Sequence, residues 1–245
     1  MDVIYKSFCD YVRSITDVSD FKSHPSFAYM LEHVTFEQGR EYLRYVKHLA
    51  PFTDAQIIDY CNDNDKYGNG TKYNYDMVYT SPTNLRYIFH AYLILKHAAS
   101  LGKQTLNMVE VGCGYGGLCL ALHHFSRSMN ITIENYYLVD LPDISRLQEL
   151  YVGKFDVYFK THFHSAFQYG GDIVHDNLFL VSNYCFSEIS DTNQKQYIAH
   201  LFPKVSHGFM TWNSIPVYDF GFSYRQESEY PNTFHIETIN KYVYF

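Results

Sequence analysis

Apolar positions change their period near Ala99. Before it they recur every three to four residues, the spacing of an amphipathic helix. Phe8, Tyr11 and Val12 form one such stripe, and Phe27, Met30, Leu31 and Val34 form another. The pattern resumes from Phe36 to His48, with Tyr42, Leu43, Val46 and Leu49 on one side. Pro51 breaks it, and Thr53-Asp54 start a short helix through Tyr60. Asn62 to Asn74 reads NDNDKYGNGTKYN, a polar, glycine-rich run that predicts a loop. A long loop of this kind is a candidate lid, with Tyr73 and Tyr75 as candidates to close over a site. Ser81 caps a further helix whose first residue is Pro82, running to about Ala99 with Leu85, Ile88, Phe89, Tyr92, Leu93 and Leu95 inward.

After that helix, short apolar runs alternate with helical stretches. Strands are predicted at 107–111, 135–140, 156–160, 177–182 and 208–212. Helices are predicted at 116–128, from Pro142 to about 152, and from Asp191 to Phe202, where Pro203 stops the last. Residues 233–237 and 241–245 read as an antiparallel pair joined by a turn at Ile239-Asn240. Residues 214–232 hold Pro216 and Pro231 and show no helix, so a connecting helix is missing or shortened there. The order predicts an α/β fold: a Rossmann-like sheet flanked by helices, with an N-terminal helical cap. Residues 1–104 form the cap and lid region, and residues 105–245 the core.

Composition narrows the function classes. A formal charge of −7 with no Lys/Arg run argues against a nucleic-acid partner. No apolar run approaches the roughly 20 residues of a membrane span. The five cysteines form no C-x-x-C and are odd in number. Together with an N-terminus that lacks the pattern of a signal peptide, they predict free thiols in a reducing, cytoplasmic compartment. The 25 tyrosines and 19 phenylalanines stand against a single tryptophan, and most of them are expected in the core. The sequence leaves the oligomeric state open.

The candidate chemistry gathers at Met108-Val109-Glu110-Val111-Gly112-Cys113-Gly114-Tyr115-Gly116-Gly117. Gly112 and Gly114 let the backbone turn and approach a ligand, and Gly117 lets the next helix pack close. Glu110 precedes the turn, where a cationic amino-acid ligand would want a carboxylate. Asp140 ends the next strand at the spacing of an acid that accepts ribose hydroxyls. Together the two acids resemble the S-adenosylmethionine site of class I methyltransferases. That resemblance makes Glu110, Gly112, Gly114 and Asp140 the cofactor residues, with Leu141 against adenine. Arg86 and Ser81 are candidates for the methionine carboxylate, and Asn183 for the cofactor amine or the acceptor.

Three blocks narrow the resemblance. VEVGCGYGGL, YYLVDLPDISRLQELYV and LFLVSNYCFSEIS, in that order, are similar to the sugar O-methyltransferase family. The chain departs from it with Cys185 where a small hydroxyl residue is usual and Ile189 for Met. The likeness covers about 108–213 and implies S-adenosylmethionine as cofactor and a sugar or glycan hydroxyl as acceptor. In-line methyl transfer to a hydroxyl calls for a base. Glu188 is one candidate, and His162 and His164, expected just after the third strand, are others. Tyr184, Trp212, Asn213 and His235 are candidates for binding the acceptor. For Trp212 the competing reading is core packing. No H-E-x-x-H, cysteine cluster or compact carboxylate set is present, so no metal site is expected, although Mg²⁺ serves some sugar methyltransferases.

Rival readings have separate signatures. A nicotinamide oxidoreductase shares the glycine spacing but does not require the preceding acid. A nucleic-acid amino methyltransferase would show Asn-Pro-Pro-Tyr where this chain has Asn183-Tyr184-Cys185-Phe186. Methylation of another small-molecule hydroxyl or amine, or a non-catalytic methyltransferase-like binding subunit, remain the alternatives to a sugar enzyme.

Overall fold

The computed structural model describes residues 3–231 and 239–245. The first part is helical: α1 (Val3–Ser14), α2 (Pro25–Leu31), α3 (Phe36–Leu49) and α4 (Asp54–Asp65). Thr35 with Gln38, and Thr53 with Gln56, form reciprocal capping boxes that start α3 and α4. A small hairpin follows, β1 (Tyr73–Asn74) and β2 (Tyr79–Thr80). Then comes α5 (Pro82–Ser100), capped by the Ser81 hydroxyl, which accepts from the Thr83 N–H.

The expected loop at 62–74 is therefore shorter, and it is anchored. Asn64 lies in α4, fully buried, and takes the Lys22 ammonium on both its carbonyl and its side-chain oxygen. Lys22 sits over the Tyr115 ring, 4.6 Å from its centre. Gly68 donates its N–H to the Val18 carbonyl. Tyr75 is buried and stacked on Phe36, while Tyr73 is exposed. A lid does not fit a segment fixed at so many points.

The core reads β3 (Thr105–Val111), α6 (Gly117–Phe125), β4 (Thr132–Asp140), α7 (Pro142–Val152), β5 (Lys160–Ser165), β6 (Leu178–Asn183), α8 (Asp191–His200), β7 (Val205–Trp212), β8 (Arg225–Ser228) and β9 (Lys241–Tyr244). Its sheet has seven strands in the order β5-β4-β3-β6-β7-β9-β8. β3 to β7 are parallel, and β9 runs antiparallel to both β7 and β8. This is a Rossmann-like sheet flanked by helices, with a reversed strand, as the sequence order predicts.

One expected strand moves, and another falls outside the described residues. The third begins at Lys160, not at 156, because the Tyr158 N–H goes to His123 Nδ1 and its hydroxyl is bonded to Ser126. The partner of the last strand is Arg225–Ser228, while residues 233–237 lie outside the described residues. β8 escapes an apolar pattern because it is a polar edge strand, where charge discourages pairing with another chain.

The sheet's faces are covered differently. Met108, Tyr136, Leu138 and Tyr242 pack beneath α5, α6, α7 and the N-terminal helices in one continuous cluster. Val109, Val111, Tyr137, Val139 and Trp212 pack beneath α8 and aromatic residues of the 217–222 segment. No helix forms between β7 and β8 among the described residues, a connection that holds Pro216.

Candidate active site

The order of strands reverses between β3 and β6, and ligands of such sheets bind at that crevice, beyond the carboxyl ends of the strands. Two turns meet there. The glycine turn after β3 starts α6 from Gly116, whose φ of 93° is left-handed. Gly112 is also left-handed, at φ 76°. A Cβ on it would fall 2.3 Å from both Cβ and Sγ of Cys185. The turn after β6 therefore lies directly on the glycine turn. The Ser182 hydroxyl ties them further, donating to the Val111 carbonyl at 2.9 Å. Gly114 has Leu31 Cδ1 3.6 Å from its Cβ position, and Gly117 packs against Tyr87 and Tyr115.

Asp140 holds the glycine turn in place. Its Oδ2 accepts from the Cys113 N–H at 2.9 Å and from Gln148 Nε2 at 3.2 Å. Oδ1 accepts from the Leu141 N–H at 2.8 Å and from the Tyr5 hydroxyl at 3.5 Å. Two carboxylate oxygens offer about four lone-pair sites, so this acid is fully engaged. Burial raises it to about 6, against the pull of its backbone and Gln148 donors. The longest of these bonds comes from Tyr5 on α1, the one of these donors that belongs to the N-terminal helices. α1 is latched to α7 by Arg13, which grips both oxygens of Asp143, and by Arg146, which donates to the carbonyls of Val12, Arg13 and Ile15.

Glu110 is only 2% exposed and receives the Tyr136 hydroxyl at 2.7 Å. Burial drives its carboxyl up to about 8; the Tyr136 bond opposes this and the Asp140 charge adds to it. Leu141 is partly buried against the first core face. Glu110, Gly112, Gly114, Asp140 and Leu141 thus lie together around the glycine turn.

A second group lies at the carboxyl ends of β6 and β7. Asn183 Oδ1 accepts from the Thr211 hydroxyl at 2.7 Å, and its Nδ2 is buried without a partner. Tyr184 has a left-handed φ of 63° and is hydrogen-bonded through its hydroxyl to Glu229. Asn213 donates to Glu188 Oε1 at 2.7 Å and to the Tyr184 carbonyl at 3.1 Å. Glu188 is exposed, and partial desolvation raises its carboxyl against the Asn213 bond.

Ser81 and Arg86 meet a residue that periodicity did not reveal. The Ser81 hydroxyl donates to Glu32 Oε2 at 2.6 Å. Arg86, 5% exposed, donates to the Leu31 carbonyl at 3.3 Å, and its guanidinium lies 5.4 Å from the Tyr184 ring centre. Glu32 follows an apolar helical stripe, and only three-dimensional packing brings it here. Tyr5, Gln148 and Glu229 were missed for the same reason.

Two expectations differ in space, and a third falls outside the described residues. His162 and His164 lie within β5, on the face of Tyr137 and opposite Glu110. His162 stacks on Tyr137 and is hydrogen-bonded to Asn135, and His164 is bonded to Asp172 at 2.7 Å. Both side chains belong to the sheet face opposite Glu110. Trp212 is fully buried among Phe186, Tyr218 and Phe220, which leaves no ring face for a ligand. His235 lies outside the described residues. Among those described, no group of three or more His, Cys, Asp or Glu is placed to hold a metal ion. Among them, too, no helix is long and apolar enough to cross a membrane.

No protein-family model matches the chain, and no curated protein matches it. Solved structures do. Magnesium protoporphyrin IX methyltransferase (ChlM) from Synechocystis PCC 6803, with bound SAM, is 14% identical over 80% of this chain and 97% of its own, with a TM-score of 0.45. The methyltransferase domain of bacterial CtHen1 is 11% identical over 63% of this chain and 96% of its own, at 0.46. PKMT2 from Rickettsia typhi, in complex with AdoHcy, is 16% identical at 0.36; the match covers 46% of this chain and spans only 22% of that one. Likeness at this level does not carry a substrate from those proteins to this chain.

Proposed function

We propose that the chain is an S-adenosylmethionine-dependent methyltransferase acting on a sugar hydroxyl. The observation that carries the reading is the placement of Asp140: a strand-end carboxylate bonded to the glycine-turn backbone at the sheet's switch point. In this reading Asp140 accepts the donor's ribose hydroxyls once Tyr5 withdraws. Leu141 lies against adenine, and Gly112 and Gly114 border the methionine part. Bound donor supplies an activated methyl group and its own leaving group, so the protein's tasks are aim and proton removal. Asn183 and Tyr184 position the acceptor. Glu188 removes its proton, a role that suits a carboxyl raised above its ordinary range beside the crevice.

The acceptor enters, on this proposal, by an open cavity of about 680 Å³ between residues 32–37 and the β1 strand. Phe36 and Tyr73 give it aromatic surface, and Glu37 and Asn74 give it hydrogen-bonding groups. That mixture suits a sugar ring, and it agrees with the D-L-P and F-S-E blocks of the sequence. The test is mass spectrometry of methyl transfer to a panel of hexoses and deoxysugars. A product 14 Da heavier than its acceptor (the mass of the added methylene) is expected for at least one member of the panel.

A second reading has its own observation. Cys185 against Gly112 and Tyr5 on Asp140 occupy the places the donor needs. A non-catalytic, methyltransferase-like binding subunit would keep them there permanently. Absence of donor binding with retained fold would favour it.

A further inference from the structure

Two opposite charges flank the glycine turn, Arg86 buried and Glu32 partly buried, and neither has its full set of partners. Glu32 follows Leu31, the residue that touches the Gly114 position, and Arg86 precedes Tyr87, which packs on Gly117. The Tyr87 phenol senses Arg86, Glu32, Glu110 and Cys113 together, so these groups share one neighbourhood. Glu32 uses Oε2 to receive the Ser81 hydroxyl and is also supported by the Thr83 hydroxyl, while its Oε1 is buried with no hydrogen-bond partner. Arg86 uses Nη2 on the Leu31 carbonyl, and its Nη1 is buried with no partner. No ion pair joins the two residues or links either to a third among the described residues.

Nearby charges do not complete them. Lys22, the other cation close to Glu32, spends its ammonium on Asn64 and on the Tyr115 face. Glu229, the carboxylate that supports the Arg86 charge, is bonded to Tyr184 and Asn240. A buried charge is retained at a cost that only a specific partner offsets. One open acceptor and one open donor, held apart beside a ligand turn, match a ligand end that carries both signs.

We propose that Glu32 and Arg86 form a clamp for the α-amino-carboxylate end of the methyl donor. Glu32 Oε1 takes the ammonium and Arg86 Nη1 takes the carboxylate. The proposal rests on the methyltransferase reading and extends it: it transfers the ammonium from Glu110, which is engaged by Tyr136, to a carboxylate of the N-terminal cap. Ser81 then acts as a positioning residue, orienting Glu32 through Oε2.

The experiment compares two probes by calorimetry on the full chain. S-adenosylhomocysteine carries the amino-acid end, and 5′-methylthioadenosine lacks it. Glu32→Gln and Arg86→Met should each weaken S-adenosylhomocysteine binding by about tenfold or more, the size of a lost charge-assisted contact. Both should leave 5′-methylthioadenosine binding unchanged, which also shows that the variants are folded. The clamp is overturned if the variants bind S-adenosylhomocysteine like the parent chain, or lose both probes equally. A parent chain that binds neither probe overturns the methyltransferase reading itself.

Discussion

The two faces of the sheet are filled by opposite strategies. The second face is an aromatic packing problem: Trp212, Phe186, Phe202, Phe220 and Phe245 interlock under α8 and the 217–222 segment. The first face and its carboxyl edge hold the buried ionisable groups Lys22, Arg86, Glu110, Asp140 and Glu229. Burying charge costs several kcal/mol per ion even after relaxation. A fold seeking stability alone would treat both faces as it treats the second. The difference is where buried ionisable groups gather: the lone Trp is packed in the second face, while a glutamate from the cap lies beside the glycine turn.

The largest effect should come from breaking the packed face. Trp212→Ala should cost about 3–5 kcal/mol of stability, because a fully buried indole leaves a cavity. Guanidinium unfolding measures it. Donor binding by the folded fraction should stay at the parent value; selective loss of binding would put Trp212 in the site.

On the charged face the effect should depend on pH. Glu110 has a folded value of about 8, above its ordinary 4.5. The folded chain keeps a proton that the unfolded chain releases, so this contribution is fully present below pH 4.5 and is lost as pH rises through 8. Glu110→Gln keeps an acceptor for Tyr136 and removes the titration. It should be more stable than the parent at pH 9, by on the order of a few kcal/mol, and show no gain at pH 4. Equal pH profiles in thermal unfolding would remove Glu110 from the buried ionisable groups that set this face apart.

The smallest effect should be at the latch. Tyr5→Phe removes a hydrogen bond with a typical net worth of about 0.5–1.5 kcal/mol. Tyr5 competes for the oxygen that a ribose hydroxyl would use, so donor affinity should rise severalfold. Weaker binding would instead make Tyr5 part of the donor's site.

Much of this was readable along the chain. The glycine turn declares itself because strand, acid, turn and helix coincide within Met108–Leu118. Ser81-Pro82 marks the start of α5 because a cap and a proline define a helix entry directly. What could not be read depends on distance. Asp156–Phe159 alternates as well as a strand does, and only His123 and Ser126, from α6 and the turn after it, decide against it. β8 is polar because it is an edge. The histidines of β5 follow from that shift, since a strand starting at Lys160 carries His162 and His164 inside it and fixes their face. Tyr5 and Glu32 come from helices whose signal is apolar, and their polar atoms acquire meaning only when α1 and α2 fold over the glycine turn.

The most direct measurement is a calorimetric titration of S-adenosylhomocysteine into the full chain and into Asp140→Ala. One-to-one binding by the parent, lost or weakened by about tenfold or more in the variant, is the predicted result. A folded parent chain that releases no binding heat and gains no thermal stability, or a variant with undiminished affinity, would contradict the account.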